Sequence, residues 1–142
     1  ALVAHQPLFQ NIEVARNLAE GLPLVPMDPS QIQQVFLNLI INAAEATPGE
    51  GHLALATRLA ASGKAVEGEF ADTGCGIKPA DLERIFEPFF TTKGARRGTG
   101  LGLAISYGIV KEHRGTIVVE SEVGKGTTFV VSLPLSLEEE AA

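Results

Sequence analysis

The sequence predicts an α+β domain in two layers, a mixed sheet of about five strands with helices on one face. Three observations carry that prediction. A long amphipathic segment lies between Asp28-Pro29 and Thr47-Pro48-Gly49, two pairs of segments alternate with the period of strands, and a second apolar helical stretch follows the glycines at 98, 100 and 102.

In chain order, Leu2 and Leu8 suit the end of a helix that Pro7 disturbs, and Ile12 and Val14 flank Glu13 in the alternation of a short strand. Leu24-Val25-Pro26-Met27 reads as a brief extended segment. Asp28-Pro29 then starts a helix, with Asp as cap and Pro at the first helical position, and the helix runs to about Ala46. Leu53, Leu55, Thr57 and Leu59 alternate, as do Val66, Gly68 and Phe70, which gives two strands joined through Ser62-Gly63. Asp72 falls just past the second of them. From Gly74 to Gly98 the chain is rich in Gly, Pro, Thr and charge, with one short helical stretch near Ala80 to Phe86; so long a connection usually serves as a lid or binding loop, and a lid is expected over about 77–98. Leu101 to Glu112 is an apolar helix, and Thr116 to Glu120 with Thr128 to Leu133 form a hairpin closed at Gly124. The acidic end, 136–142, reads as a solvated tail.

With 142 residues, 45% of them apolar, the chain has material for one core, so a single domain over 1–142 is expected. A formal charge of −6 argues against nucleic acid or an anionic membrane as partner, although Lys93, Arg96 and Arg97 make a local basic patch. The lone Cys75 excludes an internal disulfide and a multi-cysteine metal site. No apolar run reaches the roughly 20 residues that span a bilayer, and no signal-peptide pattern opens the chain. A soluble, cytoplasmic domain without direct membrane contact is the expectation, whether or not a longer protein is membrane-anchored.

Three constellations carry chemistry. On the first long helix, Ile32, Val35, Phe36, Leu39 and Ala43 share one face, and Gln31, Gln34, Asn38, Asn42 and Glu45 share another. That polar stripe is either solvated surface or a place where two amide oxygens on neighbouring turns meet a hard cation that keeps waters and bridges phosphates, as magnesium does with ATP. Asp72-Thr73-Gly74-Cys75-Gly76-Ile77 is either a turn after a strand or a carboxylate aimed into a cleft, where it can accept a hydrogen bond from the adenine amine while Gly74 and Gly76 let the backbone approach a flat ligand. An aspartic-protease reading of Asp-Thr-Gly needs a second such carboxylate from another lobe or subunit. Gly98-Thr99-Gly100-Leu101-Gly102-Leu103 opens a helix whose free amides can hold phosphate oxygens, or else allows close packing. No strand precedes it, as a Rossmann unit would require, and Gly124-Lys125 is followed by Gly126, so there is no P-loop. His5, His52 and His113 read as quiet, and Cys75 as inert.

In order, Asn38 to Asn42, Asp72 to Ile77, Phe86-Glu87-Pro88-Phe89-Phe90, Gly98 to Leu103 and the Gly124-Lys125-Gly126-Thr127 turn resemble the catalytic, ATP-binding domain of bacterial sensor histidine kinases, over about Leu8 to Leu135. The resemblance implies the Bergerat-type ATP-binding fold, with Mg²⁺ held by Asn42 and Asn38 close to it as catalytic-site residues. It further implies ATP bound by Asp72, Gly74, Gly76, Ile77, Gly98, Thr99, Gly100, Leu101, Gly102, Leu103 and Thr127, with Lys93 and Arg97 neutralising phosphate. Phe86, Phe89 and Phe90 become hydrophobic pins for the loop. Asn42 to Ala46 and Phe86 to Lys93 look closest to the nitrogen-regulation branch. Glu45 stands where many members carry Lys or another polar residue, and Arg114 stands in a helix end usually written His-Gly-Gly.

Hydrolytic relatives of this fold, including type II topoisomerases, mismatch-repair proteins and a heat-shock chaperone, place a Glu one turn before the metal-binding Asn. Here Asn38 takes that place, and an amide cannot accept the proton of an attacking water. Phosphoryl transfer to a histidine on a separate dimerisation domain is therefore the expected reaction, followed by a response regulator in a two-component system. The acceptor domain is absent from this sequence, so the chain alone is expected to be monomeric and unable to phosphorylate itself. Two other readings remain open: a nucleotide-gated interaction module, and a serine kinase of the anti-sigma-factor type.

Overall fold

A computed structural model describes residues 12–47, 50–88 and 102–135. The elements are β1 (Ile12–Leu18), α1 (Pro29–Ala46), β2 (Gly51–Leu59), β3 (Ala65–Asp72), α2 (Pro79–Leu82), α3 (Gly102–Glu112), β4 (Thr116–Glu122) and β5 (Gly126–Pro134). Among the described residues the strands form one sheet in the order β1-β2-β3-β5-β4. β1 and β2 run parallel and every other pair antiparallel, which is the mixed sheet the patterning predicts.

Period-two alternation decides which side of the sheet carries the helices. Register sets Leu55 opposite Phe70, and Phe70 opposite Phe129, so these side chains stand on one face. There they meet Ile32, Val35 and Leu39 of α1 and Val110 of α3 in the main core, together with Ile117, Val131 and Leu133. A smaller cluster of Ile12, Ala43, Ala44 and Leu53 seats the C-terminal half of α1 over β1 and β2. On the opposite face Arg58 of β2 makes ion pairs with Glu67 (2.9 Å) and Glu69 (3.1 Å) of β3, beside apolar side chains such as the exposed Val118.

α1 begins as its sequence demands. The Asp28 carboxylate accepts the Gln31 amide at 3.2 Å and Pro29 occupies the first turn, where its missing N–H costs nothing. At its other end Thr47 is 4% exposed, and its hydroxyl donates to the Ala43 carbonyl at 2.9 Å.

Several boundaries differ from the expectation. Asp72 is the last residue of β3 rather than the first beyond it, because its ladder partners Leu53 and Thr127 continue the pairing to that position. The short helix expected near Ala80 to Phe86 is a single turn, Pro79–Leu82, followed by turns. β4 and β5 extend to Glu122 and back to Gly126, lengthening the hairpin towards its turn. Leu24 to Met27 form no strand. The segment before Asn11, Phe89, Phe90, the remainder of the expected lid and the acidic tail lie outside the described residues.

α3 ends at an unusual residue. Arg114 adopts a left-handed φ of 61°, the Gly115 amide reaches back to the Val110 carbonyl at 2.9 Å, and the Arg114 amide donates to Lys111 at 3.0 Å. Arg114 thus fills the place usually given to glycine in such a cap, and the turn is kept. Glycine is needed one residue later: a Cβ on Gly115 would stand 2.2 Å from the Ser132 carbonyl oxygen.

Candidate functional site

The site is built where the C-terminal end of α1 meets the ends of β3 and β5. Asp72 is 7% exposed, and its Oδ1 accepts the Gly74 amide at 2.8 Å and the Thr127 amide at 3.3 Å. Two backbone donors on one oxygen fix the plane of the carboxylate. Thr127 is itself 4% exposed and lies directly across the ladder from Asp72.

The loop after Asp72 is docked on α1. The Cys75 amide donates to the Ala46 carbonyl at 2.8 Å, satisfying one of the carbonyls a helix end leaves open. Besides the approach to a flat ligand expected of them, Gly74 and Gly76 meet a demand of the fold itself. A Cβ on Gly74 would lie 2.3 Å from the Ala46 carbonyl oxygen, and one on Gly76, whose φ is +78°, would lie 2.3 Å from that of Glu122. Both glycines admit protein backbone, and so bring the loop onto the helix on one side and onto the β4–β5 hairpin on the other.

Ser121 of β4 completes this corner, and no spacing in the sequence singles it out. Its hydroxyl accepts the Ile77 amide at 2.7 Å, donates to the Gly126 carbonyl at 3.0 Å and stands 2.8 Å from Thr127 Oγ1. Ile77 also packs against the main core. Cys75 is exposed, with its thiol turned to the Gly76 carbonyl.

Asn38 lies two turns before this corner, roughly 12 Å along α1 from Ala46. Its Nδ2 donates to the Gly102 carbonyl and to Ser106 Oγ, both at 3.2 Å, and its Oδ1 accepts from Gln34 at 2.9 Å. This side chain joins α1 to the first turn of α3, in a contact where Ser106 is fully buried. Asn42 and Glu45 stand half-buried between the two groups of residues. Gly102 opens α3, and the partly buried side chain of Leu103 packs against the core. Lys93, Arg97, Gly98, Thr99, Gly100 and Leu101 lie outside the described residues.

Phe86 packs on Tyr107 at 5.0 Å and edge-on to Phe129 at 6.4 Å between ring centroids, which is the pinning role expected of it. His113, read as quiet, ties the end of α3 to the start of α1: Nε2 accepts the Asp28 amide at 3.0 Å, so Nδ1 carries the proton and donates it to the Ile109 carbonyl at 2.8 Å. Among the described residues no three His, Cys, Asp or Glu side chains converge in a metal cluster. The oxygen donors on α1 suit only a hard cation that takes most of its ligands from water and phosphate.

Residues 27–137 match the family described as histidine kinase-, DNA gyrase B-, and HSP90-like ATPases. The chain belongs to that family. It is 45% identical over 147 residues to the sensor kinase CckA of Brucella abortus (strain 2308), covering 94% of this chain and 15% of that protein. With the sensor histidine kinase ZraS of Escherichia coli (strain K12) it shares 39% identity over 136 residues, 96% of this chain and 28% of that one. The chain thus spans well under a third of the length of these relatives.

Among solved structures, the catalytic domain of the histidine kinase ThkA superposes with a TM-score of 0.76 at 34% identity, covering 88% of this chain and 81% of that one. Full-length ShkA in complex with AMPPNP gives 0.77 at 34% identity, covering 88% and 26%. ThkA in complex with the response regulator TrrA gives 0.74 at 31% identity, covering 91% and 36%. The fold and the family are those of the catalytic, ATP-binding domain of sensor histidine kinases, in agreement with the resemblance of the motifs.

Proposed function

We infer that this domain binds Mg-ATP and donates the γ-phosphoryl group to a histidine on a separate dimerisation domain, as one step of two-component signalling. The observation that carries the reading is the Asp72 carboxylate, buried at the end of β3 with one oxygen held by two backbone amides. An ionised acceptor fixed in a nearly dry corner suits the exocyclic amine of adenine, and it disfavours a base that presents a carbonyl there. The binding of AMPPNP by ShkA supports the same ligand class.

From that corner the triphosphate would run back along α1 towards Asn42, Asn38 and the first turn of α3. Mg²⁺ held through the Asn42 amide oxygen would neutralise phosphate charge. The first-turn amides of α3, which a helix leaves without intrahelical partners, are the candidate phosphate ligands with Lys93 and Arg97 from the preceding segment. Asn38, lacking a carboxylate, leaves water unactivated, so the acceptor must bring its own nucleophile. In the transfer, the bond between the γ-phosphorus and the β,γ-bridging oxygen breaks, an imidazole nitrogen bonds to phosphorus, and ADP departs. This chain contributes placement and charge neutralisation.

The complex of ThkA with TrrA supports a response regulator as the later recipient of the phosphoryl group. The domain is expected to act as a cytoplasmic monomer, with dimerisation resting on the acceptor domain. Titration with a non-hydrolysable ATP analogue, with and without Mg²⁺, tests the reading: binding should vanish in Asp72→Ala and lose its Mg²⁺ dependence in Asn42→Ala. An intact chain that binds no nucleotide would leave the interaction-module reading in its place.

A further inference from the structure

Helices α1 and α3 run antiparallel. His113, just past the end of α3, accepts the Asp28 amide at the start of α1, and Asn38, roughly three turns further on, donates to the Gly102 carbonyl where α3 begins. α1 then continues to Ala46, roughly two turns beyond the start of α3. Asn38, Asn42 and Glu45 follow one another at helical spacing, so they lie in line on the side of α1 that meets α3. Asn42 and Glu45, both half-buried, fall past the point where α3 starts. The first-turn amides of α3 point along its axis towards that same stretch of α1.

Two opposed electrostatic features therefore share one space. The positive pole of α3 attracts the phosphates, and the carboxylate of Glu45 repels them. A carboxylate in this place works against bare phosphate, but its oxygens can accept hydrogen bonds from the water that a hard cation keeps, one turn from the amide oxygen of Asn42. We propose that Glu45 is a specificity-determining residue that makes nucleotide binding conditional on a divalent cation: it repels the metal-free triphosphate and holds the water of a cation bound through Asn42. The inference rests on the nucleotide reading above. Its consequence is a coupling free energy, because a group that penalises the bare nucleotide and favours the metal complex enlarges the factor by which Mg²⁺ strengthens binding.

Equilibrium binding of AMPPNP to the 142-residue chain, in excess Mg²⁺ and in EDTA, tests it through the ratio of the two dissociation constants. Glu45→Gln, nearly unchanged in shape, should bind the metal-free analogue roughly three- to tenfold more tightly than the intact chain, as removal of one partly solvated like charge implies, and should bind the Mg²⁺ complex no more tightly. Glu45→Lys, which reverses the charge, should shrink the ratio further, and Glu45→Asp, which keeps the carboxylate, should retain most of it. Glu120→Gln makes the same change of net charge on the far face of the sheet and should leave the ratio alone. An unchanged ratio in Glu45→Gln would overturn the proposal. So would equal weakening in both media, the mark of a carboxylate that only supports the fold, or an equal fall of the ratio in Glu120→Gln. If Glu45→Gln does not fold, Glu45→Lys is read by the same ratio. An intact chain that binds AMPPNP equally in both media would overturn the role of Glu45 and leave the nucleotide reading standing, whereas binding in neither medium would remove that reading itself.

Discussion

At the scale of single residues, Asp72 separates recognition from folding. Asp72→Asn keeps an oxygen for the Gly74 and Thr127 amides but replaces the charged acceptor by a neutral amide. Affinity for an adenine nucleotide should fall roughly tenfold or more, while the melting temperature moves little, as calorimetric titration and thermal unfolding will show. Arg114 offers a test of backbone strain. At a φ of 61° any side chain with a Cβ is disfavoured, so Arg114→Gly should be about 1 kcal/mol more stable than Arg114→Ala, read from the difference in denaturation midpoints. The comparison of two truncations removes whatever the guanidinium contributes. What the sequence shows at this scale is uneven. Asp72 is legible because a carboxylate ends an alternating strand just before Gly-x-Gly, whereas Ser121 is one serine in a polar strand end, and its importance comes from Ile77 and Thr127, 44 and 6 residues away.

At the scale of elements, α1 is both the most legible part and the one that organises the site. Its apolar stripe and its Asp28-Pro29 start are local signals, and the polar stripe became informative through its partners. Asn38 binds α3 to α1, so the two helices that would flank the phosphates are joined by an amide whose donor is already engaged. Asn38→Asp would set a carboxylate oxygen against the Gly102 carbonyl; it should cost about 1–3 kcal/mol of stability and lower the melting temperature by several degrees. His113→Ala would remove the tie between the end of α3 and the cap of α1, and about 1 kcal/mol is the expected loss by chemical denaturation. The region after Asp72 was hardest to read for a physical reason. One turn of helix has little periodicity to detect, and Phe86 is placed by Tyr107 and Phe129, far along the chain. The glycines at 74 and 76 were visible, yet the carbonyls of Ala46 and Glu122 that require them belong to other elements.

At the scale of the whole molecule, the alignment with the sensor kinase CckA covers 94% of this chain and 15% of that protein, and the reaction proposed here joins this fold to a separate acceptor domain. That separation has a kinetic consequence. An acceptor domain tethered to this one would meet the bound nucleotide at an effective concentration of roughly millimolar, set by the linker, whereas an acceptor added in solution meets it only at its own concentration. Transfer in trans should therefore rise linearly with acceptor up to high micromolar levels, and fusing the acceptor through a flexible linker should raise the rate by roughly ten- to a hundredfold at micromolar protein. The product identifies the nucleophile: phosphate on histidine is lost in acid and kept in base, whereas phosphate on serine survives acid. Radiolabel from γ-labelled ATP that appears on the acceptor, depends on Asn42 and disappears on acid treatment would bear out histidine transfer. Acid-stable label would instead favour the serine-kinase reading, and an acceptor that stays unlabelled while the domain binds ATP would reduce the nucleotide to a ligand that orders an interaction surface.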